Sequence, residues 1–280
     1  VKKIIILVCA LFLGGCSATF AYNNVSWLIY WYLDDYVELN NKQEDMFDEM
    51  LEGWMRWHKQ EELPLYQQQL EDIISQIKSN SIDAQSISLH RERARQHWVR
   101  ARTHVASDLV TLGSTLSSEQ VVYLFASLDK ENREDEEEIN ERLALDESDK
   151  IKKWTKKNQK GIKKWTGKLT DEQKSLVASF HGRFESTSQF WLAYKREYQQ
   201  QLREVFARPQ RDVVFEERLY ELIVNPEKFR SQPFQTAMDV NAQASTDYII
   251  ELMALLSDKQ LERVVKEIEE FRQDTISIQK

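Results

Sequence analysis

The sequence predicts an all-α fold, an elongated bundle of long helical hairpins. Three observations predict it. Apolar residues recur at three- and four-residue spacing, as in Met46, Phe47, Met50, Leu51, Trp54 and Trp57, which is the period of one helix face. No run of alternating apolar and polar residues persists, so strands are not expected. Only seven glycines and four prolines punctuate 280 residues, and Gly14 and Gly15 stand together near the N-terminus, so turns are few. Charged residues make up 30% and aromatics 11%, which supplies a core and excludes a disordered chain.

The N-terminus comes first. Lys2 and Lys3 precede an apolar run from Ile4 to Leu13, too short to cross ~30 Å of hydrocarbon as a stable helix. The run ends in Leu13-Gly14-Gly15-Cys16. Small glycines open the backbone to a peptidase, and the thiol can accept a diacylglycerol. Residues 1–15 therefore read as a signal peptide and Cys16 as the lipidated residue; two or more acyl chains hold a protein stably at a membrane. Ser17, not Asp, follows Cys16, which resembles lipoproteins sent on to the outer membrane, where the body faces the periplasm. Residues 16–25 form a tether, of which Cys16 to Asn23 reaches ~20–25 Å. Cleavage removes Cys9 and lipid consumes Cys16, leaving no disulfide and no Cys-based metal site. The net charge of −8 becomes two units more negative without Lys2 and Lys3, which argues against nucleic acid as a partner. Two helical parts are expected beyond the tether: aromatic-rich residues 26–112, then residues 113–280.

Asn24 or Ser26 caps a first helix containing Trp27, Tyr30, Trp31 and Leu33. Its aromatics suit either a lipid interface or the core. Asp34, Asp35 and Glu38 would be repelled by anionic headgroups, which favours the core. A second helix covers Gln43 onward, and Pro64 at a first turn starts another through Ser79. After a Ser-rich loop, Leu89–Leu112 forms a basic helix. It carries His90, His97 and His104, seven residues apart. Neighbours ~10.5 Å apart along the axis cannot share one ion, so no metal site is expected; a pH-sensing stripe or plain polar-face histidines remain.

Three segments share one pattern: Leu116-Ser117-x-x-Gln120, Leu169-Thr170-x-x-Gln173 and Leu256-Ser257-x-x-Gln260. Each is a capping box, in which the hydroxyl accepts from the N3 amide and the glutamine accepts from the cap amide. These motifs resemble the Leu-Thr-x-x-Gln motif of Spy-type periplasmic chaperones, which implies helical cradles that hold unfolded proteins without ATP. This chain is about twice as long and carries a lipobox. Ala21-Tyr22-Asn23-Asn24, Tyr30-Trp31-Tyr32-Leu33-Asp34 and Trp57 through Pro64 resemble a family of uncharacterised proteobacterial lipoproteins. That resemblance covers most of the N-terminal third and implies an envelope lipoprotein with no known activity.

Between the first two boxes the charge separates. Asp129–Asp149 holds eleven acidic residues, and Lys150–Lys168 holds nine lysines and no acid. A period of 11 repeats Ile151-Lys152-Lys153-Trp154 as Ile162-Lys163-Lys164-Trp165, which keeps both Ile/Trp pairs on one helix face. Lys152, Lys153, Trp154, Lys163, Lys164 and Trp165 are therefore the candidate partner-binding residues, for anionic lipid, lipopolysaccharide or an acidic protein surface. The other arrangement packs the Ile/Trp stripe inward and leaves the lysines in solvent or paired with the acidic run. Joined, the two runs would make one helix of ~65–75 Å. From Leu169 a helix is expected to about Ala207, with Phe180, Phe184, Trp191, Tyr194 and Tyr198 as core. Helices at Asp212–Val224, Pro233–Leu255 and Glu262–Ile276 follow.

Enzyme signatures are missing: no Gly-rich phosphate loop, no nucleophile elbow, no His-Glu-x-x-His and no Glu-x-x-His. His181 and Glu185, at i and i+4, read as a surface contact. The expectation is a lipid-anchored envelope protein that binds unfolded or envelope proteins without catalysis or cofactor, or that serves one specific structural partner.

Overall fold

The computed structural model describes residue 20 and residues 22–279; the proposed signal stretch and Cys16 lie outside the described residues. Every regular element described is helical, and no strand occurs among the described residues. In chain order the helices are α1 (Val25–Leu33), α2 (Asn41–Trp57), α3 (Leu63–Lys78), α4 (Ala84–Ser114) and α5 (Ser118–Leu143). Then come α6 (Glu147–Thr166), α7 (Asp171–Ser179), α8 (Ser188–Phe206), α9 (Val213–Val224), α10 (Gln232–Ala254) and α11 (Asp258–Gln279). No described helix is long and apolar enough to cross a membrane.

The 31-residue α4 is the spine, ~46 Å long. One core joins Val110 of α4 and Phe125 of α5 to Val205 and Phe206 of α8 and to Phe215, Leu219 and Leu222 of α9. A second joins Phe47 and Leu51 of α2 to Leu112 of α4. A third, smaller cluster joins Tyr22 to Leu63 of α3 and Ile278 of α11. The close approach of α4 and α9 needs Gly113: a Cβ there would lie 2.9 Å from Leu219 Cδ2.

All three capping boxes form. A fourth stands at Leu39-Asn40-x-x-Gln43, with asparagine as the cap. The boxes interlock in pairs. Gln43 Nε2 donates to Gln120 Oε1 at 3.1 Å, and Gln120 Nε2 returns the bond at 2.7 Å. Gln173 and Gln260 exchange the same two bonds at 2.8 and 3.1 Å. Each amide also reaches a loop carbonyl of the opposite box: Thr115 and Glu38 in the first pair, Leu255 and Lys168 in the second. Two helix starts are thus tied head to head, twice.

Two expected long helices are broken. The acidic and basic runs are separate helices, because the chain breaks at residues 144–146. Glu147 and Asp149 then supply negative charge to the first turn of α6, where the helix dipole favours it. The expected helix from Leu169 to Ala207 is broken between α7 and α8 by a 3₁₀ turn, His181–Arg183. Phe180 is fully buried, and Asn241 satisfies the opened backbone by accepting from Glu185 N and donating to Glu185 O. His181 and Glu185 therefore do not share a helix. Pro64 stands in the first turn of α3, as expected, but no loop separates α3 from α2. A π turn, His58–Glu62, links α2 and α3, and the Leu63 N–H bonds the His58 carbonyl five residues back. The wider turn accommodates the missing proline N–H and its ring, which would strain a continuous α-helix.

Replacing Gln173 with alanine should cost about 2–4 kcal/mol, because it removes a cap and strands buried partners. Denaturant unfolding should show Gln173→Ala and Gln260→Ala together costing clearly less than the sum of the singles. Strict additivity would mean that the boxes act independently.

Candidate functional site

The lysine-bearing face stands on α6. Lys152, Lys153, Lys163 and Lys164 are all exposed. The 11-residue repeat splits its two tryptophans. Trp154 packs inward, edge-on to His181 at 5.5 Å and tilted against Phe184 at 5.7 Å. Trp165 sits at the rim, 38% exposed, with Ile151 equally open. The acidic run of α5 does not neutralise this face, because α8 engages it. Arg203 pairs with Asp129 at 2.6 Å, Arg196 with Glu136 at 2.7 Å, and Lys195 bridges Glu131 and Asp135 at 3.4 and 2.7 Å. Among the described residues, Lys150 pairs with Glu147, but no ion pair holds Lys152, Lys153, Lys163 or Lys164. The lysines face solvent while half of the apolar stripe packs in the bundle.

The expected burial of the N-terminal aromatics holds only in part. Tyr30 packs edge-on to Phe47 and donates to Asp48 at 2.8 Å, and Tyr36 donates to Glu131. Trp27, however, is 64% exposed, with its ring nearly parallel to Trp31 at 6.4 Å. Helix α1 has only nine residues and offers one face to α2, so a second aromatic face is left outward. In the stripe from Phe180, Trp191 likewise reaches the surface beside Phe234, beneath Arg230.

Each histidine of α4 is engaged by the facing hairpin. His104 stacks on Trp57 at 4.1 Å, and His90 Nε2 meets Gln76 Oε1 at 3.1 Å. His97 enters a buried network with Glu62, the last residue of the π turn and 1% exposed. Arg100 grips Glu62 through Nε and Nη2. Its Nη2 also lies 2.7 Å from His97 Nδ1, while His97 Nε2 lies 2.8 Å from Gln69 Oε1. His97 Nε2–H donates to Gln69, and Nδ1 lies between Arg100 and Glu62, 2.9 Å from Glu62 Oε2. Tyr66 covers the ring edge-on at 4.4 Å, and Tyr22 bonds His58 at 3.0 Å beyond it. Among the described residues, no group of three or more His, Cys, Asp or Glu converges as a metal set would.

Burial lowers His58, His90 and His97 below the ordinary histidine value; for His97 it outweighs the opposing pull of Glu62. Burial pushes Glu62 up, but Arg100 and His97 together carry it below the ordinary carboxylate value. The geometry holds a charge pair and a neutral imidazole where the chain changes helical pitch, a place where π turns often mark function. Sequence spacing could not single out Glu62; its nearest signal was Pro64, two residues on.

The class these features define is an all-helical chain tied at paired capping boxes, with an open lysine face and an internal histidine–glutamate network. Residues 35–235 match a family of unknown function, DUF6279, and the chain belongs to that family. The match takes in the first glutamine pair and Gln173 and stops before Gln260. No curated protein and no solved structure matches the chain.

Stability should fall in two stages on acidification. The histidines have lowered folded values, so the unfolded chain takes protons first as pH drops below about 6.5. Glu62 keeps its contribution above the ordinary carboxylate value and loses it only below. His97→Gln, which retains a donor for Gln69 and an acceptor for Arg100, should flatten the upper stage. Denaturation midpoints at about pH 7.5 and about pH 5.5 check this; an unchanged slope would remove His97 from the account.

Proposed function

We propose that the protein is a lipid-anchored component of the cell envelope that binds other proteins through the α6 face, without catalysis. In this reading Cys16 carries the anchor at the outer membrane, the body faces the periplasm, and the helical scaffold presents Lys152, Lys153, Lys163 and Lys164 around Trp165. The observation that carries it is the unpaired state of these lysines beside exposed Ile151 and Trp165, while Asp129, Glu131, Asp135 and Glu136 of the neighbouring acidic run pair with α8. Lysines rimming a half-exposed indole suit acidic, partly apolar segments of a client: charge speeds encounter and the ring gives purchase.

Holding of unfolded clients, as in Spy-type chaperones, is supported by the Leu-Ser/Thr-x-x-Gln motifs. Their glutamines are turned inward, Gln173 to 0% exposure, so the motifs supply the frame and α6 the contact. One dedicated structural partner is the second reading, favoured by the split of the repeat, which leaves a single tryptophan of α6 at the rim.

A photo-crosslinking residue at position 165 in living cells should give a smear of many adducts if clients are held, and one discrete band if a dedicated partner is bound. The absence of adducts sinks the proposal. Lys163→Glu with Lys164→Glu should cut adducts several-fold while shifting stability by no more than about 0.5 kcal/mol, as for exposed substitutions.

A further inference from the structure

Helix α1 is apolar on two sides, and the bundle takes only one of them. Its nine residues, Val25–Leu33, contain no charged side chain. Ile29, Tyr30 and Leu33 pack on the core of Phe47 and Leu51. A helical turn leads into α1, where the Asn24 N–H donates to Phe20 O at 3.1 Å, and Tyr22 in that turn is buried with Leu63 and Ile278. On the other side Phe20 is 70% exposed, Trp27 64% and Trp31 40%. Spacings of seven and four residues set these three rings in one line along the helix. A helix apolar all round belongs in a core or at a lipid boundary.

Chain length, ring type and charge together favour the lipid boundary. Phe20 stands four residues after Cys16, a reach of at most ~14 Å, so the apolar end of the line is the end held nearest that cysteine. Indole rings are favoured at the headgroup level of a bilayer. The carboxylates of Asp34 and Asp35 are exposed at the opposite end of α1, ~21 Å along the axis from Phe20. One headgroup layer is roughly 5–7 Å deep, so a moderate tilt seats Phe20 and Trp27 while both carboxylates stay in water. The acid that argues against a flat helix therefore sets its inclination. At the cleft between α1 and α2, Lys59 Nζ lies 5.8 Å over the Tyr22 ring, and among the described residues no carboxylate pairs with it. Asp48 and Glu52 line the same cleft, but Asp48 accepts from Tyr30 and Glu52 pairs with Arg56 at 3.8 Å.

We propose that the face formed by Phe20, Trp27 and Trp31 seats in the interfacial layer of an anionic phospholipid bilayer, with Phe20 deepest, and that Lys59 meets a lipid phosphate. The proposal rests on the reading of Cys16 as the anchor, which brings this end of α1 to the membrane. Acyl chains hold the protein at the bilayer, and α1 fixes which way the body stands on it.

The test uses the full chain with a benzoylphenylalanine at position 27 or position 35, purified and reconstituted in vesicles of phosphatidylethanolamine and phosphatidylglycerol. Mass spectrometry reads two things separately: acylation of the N-terminal peptide, which tests the anchor, and photo-adducts at the substituted position, which test α1. Phospholipid adducts at 27 should exceed those at 35 by about fivefold or more. Lys59→Gln should lower the phosphatidylglycerol share of the adducts at 27 several-fold, since each cation near an anionic surface adds attraction, with thermal unfolding unchanged. No lipid adduct at 27 overturns the proposal; if Cys16 is acylated all the same, the anchor reading stands. Lipid adducts at 27 on an unacylated chain support the α1 face and remove the anchor. Chain-to-chain adducts at 27 would show a second copy covering the face and overturn the proposal, as would equal lipid labelling at 27 and 35. An unchanged phosphatidylglycerol share in Lys59→Gln overturns the role of Lys59.

Discussion

Gln173 and Gln260 each close their own helix start and, with the same amide, grip the other's. A glutamine has one acceptor oxygen and one amino group, and here both are fully occupied inside the protein. Gln43 and Gln120 repeat the arrangement. Helix N-termini carry orphan donors and partial positive charge, so two of them meeting head to head would ordinarily repel. The crossed amides insert oxygen atoms between them and satisfy the loop carbonyls that come along. Remaining contacts are arranged around this constraint: α2 and α5 leave one junction, α7 and α11 the other, and α4 runs between them.

What was legible in the sequence follows from the range of the forces involved. A capping box is decided within four residues, so Ser117, Thr170 and Ser257 announced three helix starts. The fourth, Asn40, obeys the same chemistry with a different cap and was readable in principle. Pairing of the boxes was not, because the partners lie 77 and 87 residues apart. The acidic run was equally plain as a run, yet its partners are Lys195, Arg196 and Arg203, which no local spacing connects to it. Helical period put Trp154 and Trp165 on one side of α6, but only Trp154 packs inward, because His181 and Phe184 lie opposite it beyond a break that a single glycine, Gly182, only hinted at.

The histidines show the same limit at the site. Their seven-residue spacing placed them along one side of α4, and all three meet the α2–α3 hairpin. What each one does is set by the facing hairpin: Trp57 for His104, Gln76 for His90, Glu62 and Gln69 for His97. Glu62 enters that row as the last residue of the π turn, two residues before Pro64.

The contact of α11 with α3 has a consequence for how the molecule is made. Gln279 bonds Gln67, and Ile278 packs with Tyr22 and Leu63, so nearly the whole chain length separates partners in one small cluster. Contacts of such separation form late, since loop closure must come first. During synthesis the side of α3 that faces α11 has no cover until residues 258–279 have emerged. A ribosome stalled before that point holds a chain whose second glutamine pair is unmade and whose α3 apolar edge is bare, which marks it for proteolysis or aggregation. Formation of α11 is thus the step that commits the nascent chain to a protected state.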